Sequence, residues 1–202
     1  MNKKNVIIIG AGSHSKSVLD CLDKKKINLL GYIDNLEKNE YILGNDKFLL
    51  KKKNKNFTLI NGIYFSIKNS NRIKIFNKYR KKNFKFLTVK SKKASISKDV
   101  NISEGSQILN GVIVNCGVNI GFNTVINTGS LIDHDVSIGN HCTISPGTII
   151  CGNTNIGNNV HVGPGVIIFN NIKIGNNVFI QGGNVIRKNI NSNNNILNKN
   201  AI

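Results

Sequence analysis

The sequence predicts two parts: an α/β unit of half-Rossmann type over residues 1–93, then a three-sided parallel β-solenoid over residues 94–202. Three observations predict them. Residues 94–189 divide into sixteen consecutive blocks of six, with Ile or Val at the third place of every block and no insertion or deletion. A short fixed period marks a solenoid whose repeats touch only their neighbours. Near the amino terminus, the apolar run at 6–9 leads into Gly10-Ala11-Gly12, the strand and turn of a phosphate-binding α/β unit. Composition also changes near residue 93. Residues 1–93 hold 23 Lys and Arg against 6 Asp and Glu, whereas residues 94–202 hold 5 against 4.

In chain order, residues 5–9 are rich in β-branched side chains and form a buried strand. The turn GAGSHSK follows, and residues 17–22 start a helix. Backbone N–H groups of such a turn, with the helix amino terminus behind it, face an anion. The dinucleotide fingerprint wants a third glycine at position 15, where this chain has Ser15. A second strand at 29–33 ends in Asp34-Asn35, placed from Gly10 as a ribose-binding acid would be. The same residues also suit a plain strand–helix turn with a solvated Asp34. Residues 57–61 form a third strand closing at Gly62. Residues 71–82 form a basic helix with Ile73 and Phe76 on one face, and 83–89 a fourth short strand. This is too small for a complete dinucleotide fold, so one mononucleotide-sized half is expected. The lysine run at 51–55 is a solvated loop.

In the second part, every third block is of one type. VNISEG, VNIGFN, VSIGNH, TNIGNN and IKIGNN place Gly or Ser after the central Ile, while SQILNG, TVINTG, CTISPG, VHVGPG and VFIQGG end in Gly. The repeat is therefore one coil of eighteen residues with three sides, each a short strand and a corner. The central aliphatic points inward and stacks on its counterpart one coil away, at about 4.8 Å. Gly and Asn gather at corners because they tolerate positive φ. Sixteen blocks make about five coils.

The net charge of +18 resides almost wholly in residues 1–93 and suits small phosphorylated ligands. Aromatics are few, at 6%, and no nucleic-acid-binding motif is present, which sets nucleic acid aside as a partner. The run at 6–9 is too short for a signal peptide, and no segment approaches membrane-spanning length. Cys21, Cys116, Cys142 and Cys151 form no CxxC pair, as expected of reduced thiols in a cytoplasmic protein.

Polar chemistry in the repeats concentrates at Asp133-His134-Asp135, with His141 soon after. A histidine beside a carboxylate is a natural general base, since the acid raises its pKa and holds the collected proton. An exposed corner histidine beside solvated aspartates fits the same sequence. So does a metal site of Asp133, His134, Asp135 and His141, although neighbours on a strand point to opposite faces and converge poorly. His161, at the second place of its block, is expected at the surface or at a subunit contact.

These blocks resemble the hexapeptide-repeat acyltransferases, which fold as left-handed parallel β-helices. More narrowly, the chain resembles the bacterial sugar acyltransferases of the sialic-acid, bacillosamine and perosamine type. The matching stretches are IIGAGSHSKSVLD, GYIDN, the FLTVKSKKASIS junction and INTGSLIDHDVSIGNHCTISPGTIICGNTNIGNNVHVGPG. The resemblance implies transfer of an acetyl group from acetyl-CoA to a nucleotide-linked amino sugar of a bacterial surface glycan, without a metal. It implies His134 as general base and Asp135 as the acid that strengthens it. It implies CoA in a groove between two β-helices of a homotrimer, over Gly152, Gly163, Pro164, Gly182 and Gly183. It implies a nucleotide-sugar against Gly12, Ser13 and His14, with Asp34 and Asn35 at the next strand end and Gly62 at the third. One departure is Thr143, which stands where such enzymes often carry a second, acetyl-CoA-contacting histidine. Two alternatives stay open: O-acetylation of a sialic-acid-like sugar, and a non-catalytic β-helix that binds a nucleotide-sugar. NAD-dependent oxidoreduction is disfavoured by the short first part and Ser15.

Overall fold

The protein is described by a computed structural model covering residues 3–35, 41–52, 56–65 and 71–197. It divides into two compact units, Met1–Val89 and Lys90–Ile202.

In the first unit, β1 (Lys4–Ile9), β2 (Ile27–Ile33), β3 (Ile42–Gly44) and β4 (Thr58–Asn61) form one parallel sheet in the order β3-β2-β1-β4. Strand β1 lies between β2 and β4, which is why Val6, Ile7, Ile8 and Ile9 are all buried and read as a continuous apolar run. Helix α1 (Ser13–Asp20) begins at Ser13, four residues before the expected start. Gly12 is its N-cap, in an extended conformation, and the Ser15 hydroxyl donates to the Gly12 carbonyl at 2.6 Å. The serine that departs from the glycine pattern thus helps build the first helical turn. Helix α2 (Asp46–Leu50) and β3 were not expected; both are too short to show a period, though the Asn45 side chain caps α2 by accepting the Lys47 N–H. Lys51 and Lys52 follow α2, exposed, while residues 53–55 of the expected loop lie outside the described residues.

Helix α3 (Asn71–Lys81) buries Arg72, Phe76 and Tyr79, leaving Ile73 half-buried. Its last turn carries Lys78, Arg80 and Lys81, which complements the helix dipole. The fourth strand expected at 83–89 does not form. Asn83 adopts a φ of 59°, and the segment meets β4 through one parallel bridge, Leu59 to Phe86. Phe86 packs on Phe76 with ring centroids 4.5 Å apart, so the segment closes the core by its aromatics rather than by a ladder.

The second unit is a three-sided solenoid of parallel two-residue strands, each hydrogen-bonded to the strands one coil before and after. Among the described residues, face A runs from Ser95–Ile96 through Leu131–Ile132 to Val185–Ile186 and has six strands. Face B runs from Asn101–Ile102 to Lys173–Ile174 and has five. Face C has seven among the described residues, from Val89–Lys90 to Asn195–Ile196. The coil therefore continues past the sixteen blocks. Its last turn is two residues shorter than the rest, since Ile174 pairs with Ile190 and Ile180 with Ile196.

The sixfold rule has a direct physical cause. The third-place residues from Ile108 to Ile186 are all buried and form one core with first-place residues such as Val112, Val136 and Val160. Each contributes about 1.5–3 kcal/mol of burial free energy. The sixth place is left-handed in every block from Gly105 to Gly183, occupied by Gly, Asn, Asp135 or His141. The fourth-place glycines between faces B and C answer to crowding: a Cβ on Gly139 would stand 2.5 Å from the Gly157 carbonyl oxygen. There the fifth-place asparagines cap the coil before them, Asn140 accepting from the Phe122 N–H and Asn158 from the Asn140 N–H, each at 2.8 Å.

Candidate active site

Face A turns into face B at residues 133–135, immediately after Leu131–Ile132. Asp133 organises this corner. Its Oδ1 accepts the His134 N–H at 2.8 Å and the Asn115 side-chain amide, one coil earlier, at 2.9 Å. Asp135 takes the left-handed corner place with φ 58°, and its N–H donates to the Cys116 carbonyl at 3.0 Å. Its Oδ2 lies 2.9 Å from His134 Nδ1. A carboxylate only accepts, so Nδ1 carries the hydrogen and Nε2 is left as the basic atom.

The ring has room because of what lies one coil away. A Cβ on Gly152 would stand 2.6 Å from His134 Nε2. A side chain on Gly117 would overlap the Asp135 carboxylate in the same way. Nε2 is 4.0 Å from Asp133 Oδ2, and the imidazole is about half exposed. The hydrogen bond that Nδ1 donates to Asp135, then the charge of Asp133, raise the His134 pKa above its ordinary 6.5. The bonds from Asn115 and from the His134 N–H hold the Asp133 carboxyl below the usual range. The corner is thus an oriented imidazole with a free ring nitrogen, flanked by two acids and open to solvent. Such a group accepts a proton from an incoming nucleophile.

His141 does not join it. It occupies a left-handed place on the corner between faces B and C, φ 60°, with its Nδ1 3.0 Å from the Asn123 side-chain amide. That column continues as Asn159–Asn177–Asn193, linked at 2.9 Å, so His141 stands where asparagine otherwise serves. Among the described residues, no group of three or more His, Cys, Asp or Glu is placed to hold a metal ion.

The other predicted residues of the solenoid fall in two places. Gly152 is on the His134 corner. Gly163, Pro164, Gly182 and Gly183 are on the corner between faces C and A, so one chain does not bring them to His134. Face A separates the two corners and carries an outward column of Ile113, Leu131, Ile149, Ile167 and Val185, with Ile113, Leu131 and Val185 the most exposed. Thr143 is buried on face C. His161, expected at the surface or at a subunit contact, is buried within the chain, only 8% exposed and stacked on Phe179 at 5.1 Å; burial lowers its pKa to about 4. None of the four cysteines forms a disulfide; Cys116 is exposed, and Cys142 is buried with its thiol pKa raised to about 12 by burial.

In the first unit, a cavity of about 400 Å³ opens at the carboxyl ends of the strands, where open parallel sheets take ligands. Ile9, Gly10, Ile33, Asp34, Asn35, Asp46, Ile63, Asn71 and Ile75 line it. Asp34 Oδ2 accepts the Ala11 N–H at 2.8 Å, tying the glycine turn to the end of β2. Gly12 and Ser13 are exposed at the start of α1, which has no side-chain cap. His14 is buried against the Tyr64 ring, centroids 4.9 Å apart. Gly62 is also buried, where a Cβ would collide with Ile8 and the Ile9 carbonyl, so it lets β4 approach β1.

Two features at or beside the cavity went unnoticed in the sequence. Arg72 is buried and donates through Nη1 to the Asn61 and Ile63 carbonyls at 3.0 and 2.6 Å, shaping the cavity wall. Asp46 accepts from Lys78 at 2.5 Å and from the Tyr79 hydroxyl. No motif marks either. Asn115 and Gly117 were legible in principle, because each lies eighteen residues before the acid it serves.

Residues 5–79 match the PglD N-terminal domain family. No curated protein matches the chain. PerB from Caulobacter crescentus, solved with CoA and GDP-perosamine, is 26% identical over 93% of this chain and 91% of its own, with a TM-score of 0.85. The acetyltransferase domain of PglB from Neisseria gonorrhoeae, solved with acetyl coenzyme A, is 24% identical over 94% of both chains, with a TM-score of 0.84. WeeI from Acinetobacter baumannii is 21% identical over 99% of both chains, with a TM-score of 0.78. The chain thus shares its amino-terminal domain with the PglD N-terminal domain family and its fold with PerB, the PglB acetyltransferase domain and WeeI.

Proposed function

We propose that this protein is an acetyl-CoA-dependent acetyltransferase that acylates the amino group of a nucleotide-linked sugar, a precursor of a bacterial surface glycan. His134 acts as general base in direct transfer, and Asp135 orients it and strengthens it. The observation that carries this reading is the His134–Asp135 pair, 2.9 Å apart, with Nε2 left free on an open corner. The similarity to PerB and to the PglB acetyltransferase domain, solved with CoA and acetyl coenzyme A, supports the cosubstrate.

Each residue has a defined task. Asp135 keeps the hydrogen on Nδ1, so that Nε2 takes the acceptor's proton as the new bond forms. Corner N–H groups are the available donors for the developing oxyanion. In the first unit, the cavity receives the nucleoside through Asp34 and Asn35, while Gly12, Ser13 and the amino terminus of α1 face its phosphates.

The chain works as a homotrimer. The small residues proposed for CoA, Gly163, Pro164, Gly182 and Gly183, lie on one corner and the base on another, with the exposed aliphatic column of face A between them. A second copy seated beside that column joins the base of one chain to the small corner of another. No helix among the described residues is long and apolar enough to cross a membrane, which is compatible with work in the cytoplasm.

The test is consumption of acetyl-CoA with a panel of UDP-, dTDP- and GDP-linked 4-amino sugars. Wild type should acetylate at least one. His134→Ala should abolish turnover and leave the assembly intact on a sizing column. Full activity in that variant would remove His134 as the base. Tight nucleotide-sugar binding without thioester consumption would point to a non-catalytic binding protein.

A further inference from the structure

Asp133 is not required to orient the base, since Asp135 does that through Nδ1. Its own Oδ1 is held by Asn115 and by the His134 N–H, and the Gly152 N–H also faces the carboxylate. Its Oδ2 stands 4.0 Å from His134 Nε2. One atom at an ordinary hydrogen-bonding distance of about 2.9 Å from both fits between acceptors so spaced. To satisfy both, that atom must carry two hydrogens. An amine or ammonium nitrogen does; a hydroxyl oxygen carries one.

We propose that Asp133 selects an amine over a hydroxyl as the acetyl acceptor, by holding the acceptor nitrogen beside His134 Nε2. This rests on the acetyltransferase reading above and names the residue that selects its acceptor at the same site. The carboxylate is ionised at neutral pH, because its two donors keep its pKa low.

The proton balance follows. The acceptor arrives as an ammonium and gives one N–H to Asp133 as a hydrogen bond. Its third proton leaves to solvent, and the neutral amine directs its two N–H groups at Asp133 and Nε2 and its lone pair at the thioester carbonyl carbon. Nε2 takes its proton as the C–N bond forms. The C–S bond then breaks and its electron pair leaves on sulfur. His134 passes the proton it collected to that thiolate. Ammonium and thioester thus become amide, thiol and one proton. With a hydroxyl acceptor, His134 takes the only hydrogen. The Asp133 carboxylate then faces an oxygen lone pair with nothing to accept, a repulsive contact that disfavours the wrong substrate.

The experiment compares wild type with Asp133→Asn, which keeps an oxygen for Asn115 and for the His134 N–H. Initial rates are measured with saturating acetyl-CoA and UDP-, dTDP- and GDP-linked 4-amino sugars, beside their 4-hydroxy counterparts as substrates and as competitors. Wild type should acetylate only amino sugars and bind them more tightly than the hydroxy forms. In the variant, the acceptor KM should rise about 10- to 100-fold, the loss expected for a hydrogen bond to a charged group. The KM for acetyl-CoA should stay unchanged. Part of the loss should return as pH passes the acceptor's own pKa, and the amino and hydroxy forms should compete equally. An unchanged acceptor KM in the variant, or an equal loss in kcat and both KM values at every pH, would overturn selection by Asp133 and leave acetyl transfer standing. Transfer by wild type to the hydroxy sugars would do the same. If wild type acetylates nothing in the panel, both readings fall.

Discussion

The imidazole of His134 occupies the space that a side chain at position 152 would fill. Gly152 lies one coil above, and a Cβ there would stand 2.6 Å from Nε2. Replacing Gly152 with Ala should push the ring off its bond to Asp135. Gly152 has no positive φ, so the backbone tolerates the change. The expected result is a fall in kcat of about 100-fold, the scale of a misplaced catalytic group. Thermal melting should show the fold retained.

The pH profile should report His134 directly. Its pKa is raised by the hydrogen bond to Asp135 and then by the charge of Asp133. A protonated imidazole cannot accept, so kcat/KM should climb with pH through a pKa above 6.5. In Asp135→Asn the largest cause of the shift is weakened, so that limb should move to lower pH while the plateau falls. A limb left in place would mean that another group controls it.

Stability should depend on pH through His161. Burial lowers its pKa from 6.5 to about 4, so the unfolded chain binds a proton between those values that the folded chain refuses. Stability from this residue is complete above 6.5 and drains away as pH falls towards 4. The full difference is about 3 kcal/mol. His161→Phe keeps the stacking on Phe179 without the proton. Its melting temperature should decline less than that of wild type between neutral and acid pH.

Arg72 should be a point of weakness in the first unit. Removing its guanidinium leaves the Asn61 and Ile63 carbonyls without their donor beside the cavity. Arg72→Ala should cost about 3 kcal/mol, read as a lower urea midpoint. Nucleotide-sugar binding, followed by calorimetry, should weaken with it.

The solenoid was legible because its physics is periodic. Each third-place aliphatic meets the same environment eighteen residues on, and each sixth place meets the same demand for positive φ. Even Asp135 and His141 obey that demand, so two residues chosen for their chemistry also sit where the backbone wants Asn or Gly. The first unit was less legible. Strand β1 announced itself because it is buried on both faces, whereas β3 and α2 have three and five residues and carry no period. Residues 83–89 have strand-like composition, but among the described residues only Phe86 bridges to β4, Val89 joins face C of the solenoid, and aromatic packing fixes the stretch between Phe84 and Phe86.

The sequence by itself determined the coil, its three sides, and the one corner where a histidine lies between two acids. Those depend on local rules that repeat along the chain. Only the tertiary structure decided how that corner works. Asn115 and Gly117 come from the coil below and Gly152 from the coil above, each set against a residue eighteen positions away. It also showed that His141 and the glycines of the C–A corner lie apart from His134 within one chain. Composition names the residues that carry chemistry, but stacking between coils sets the distance from Nε2 to each acid, and that distance decides which proton the base can take.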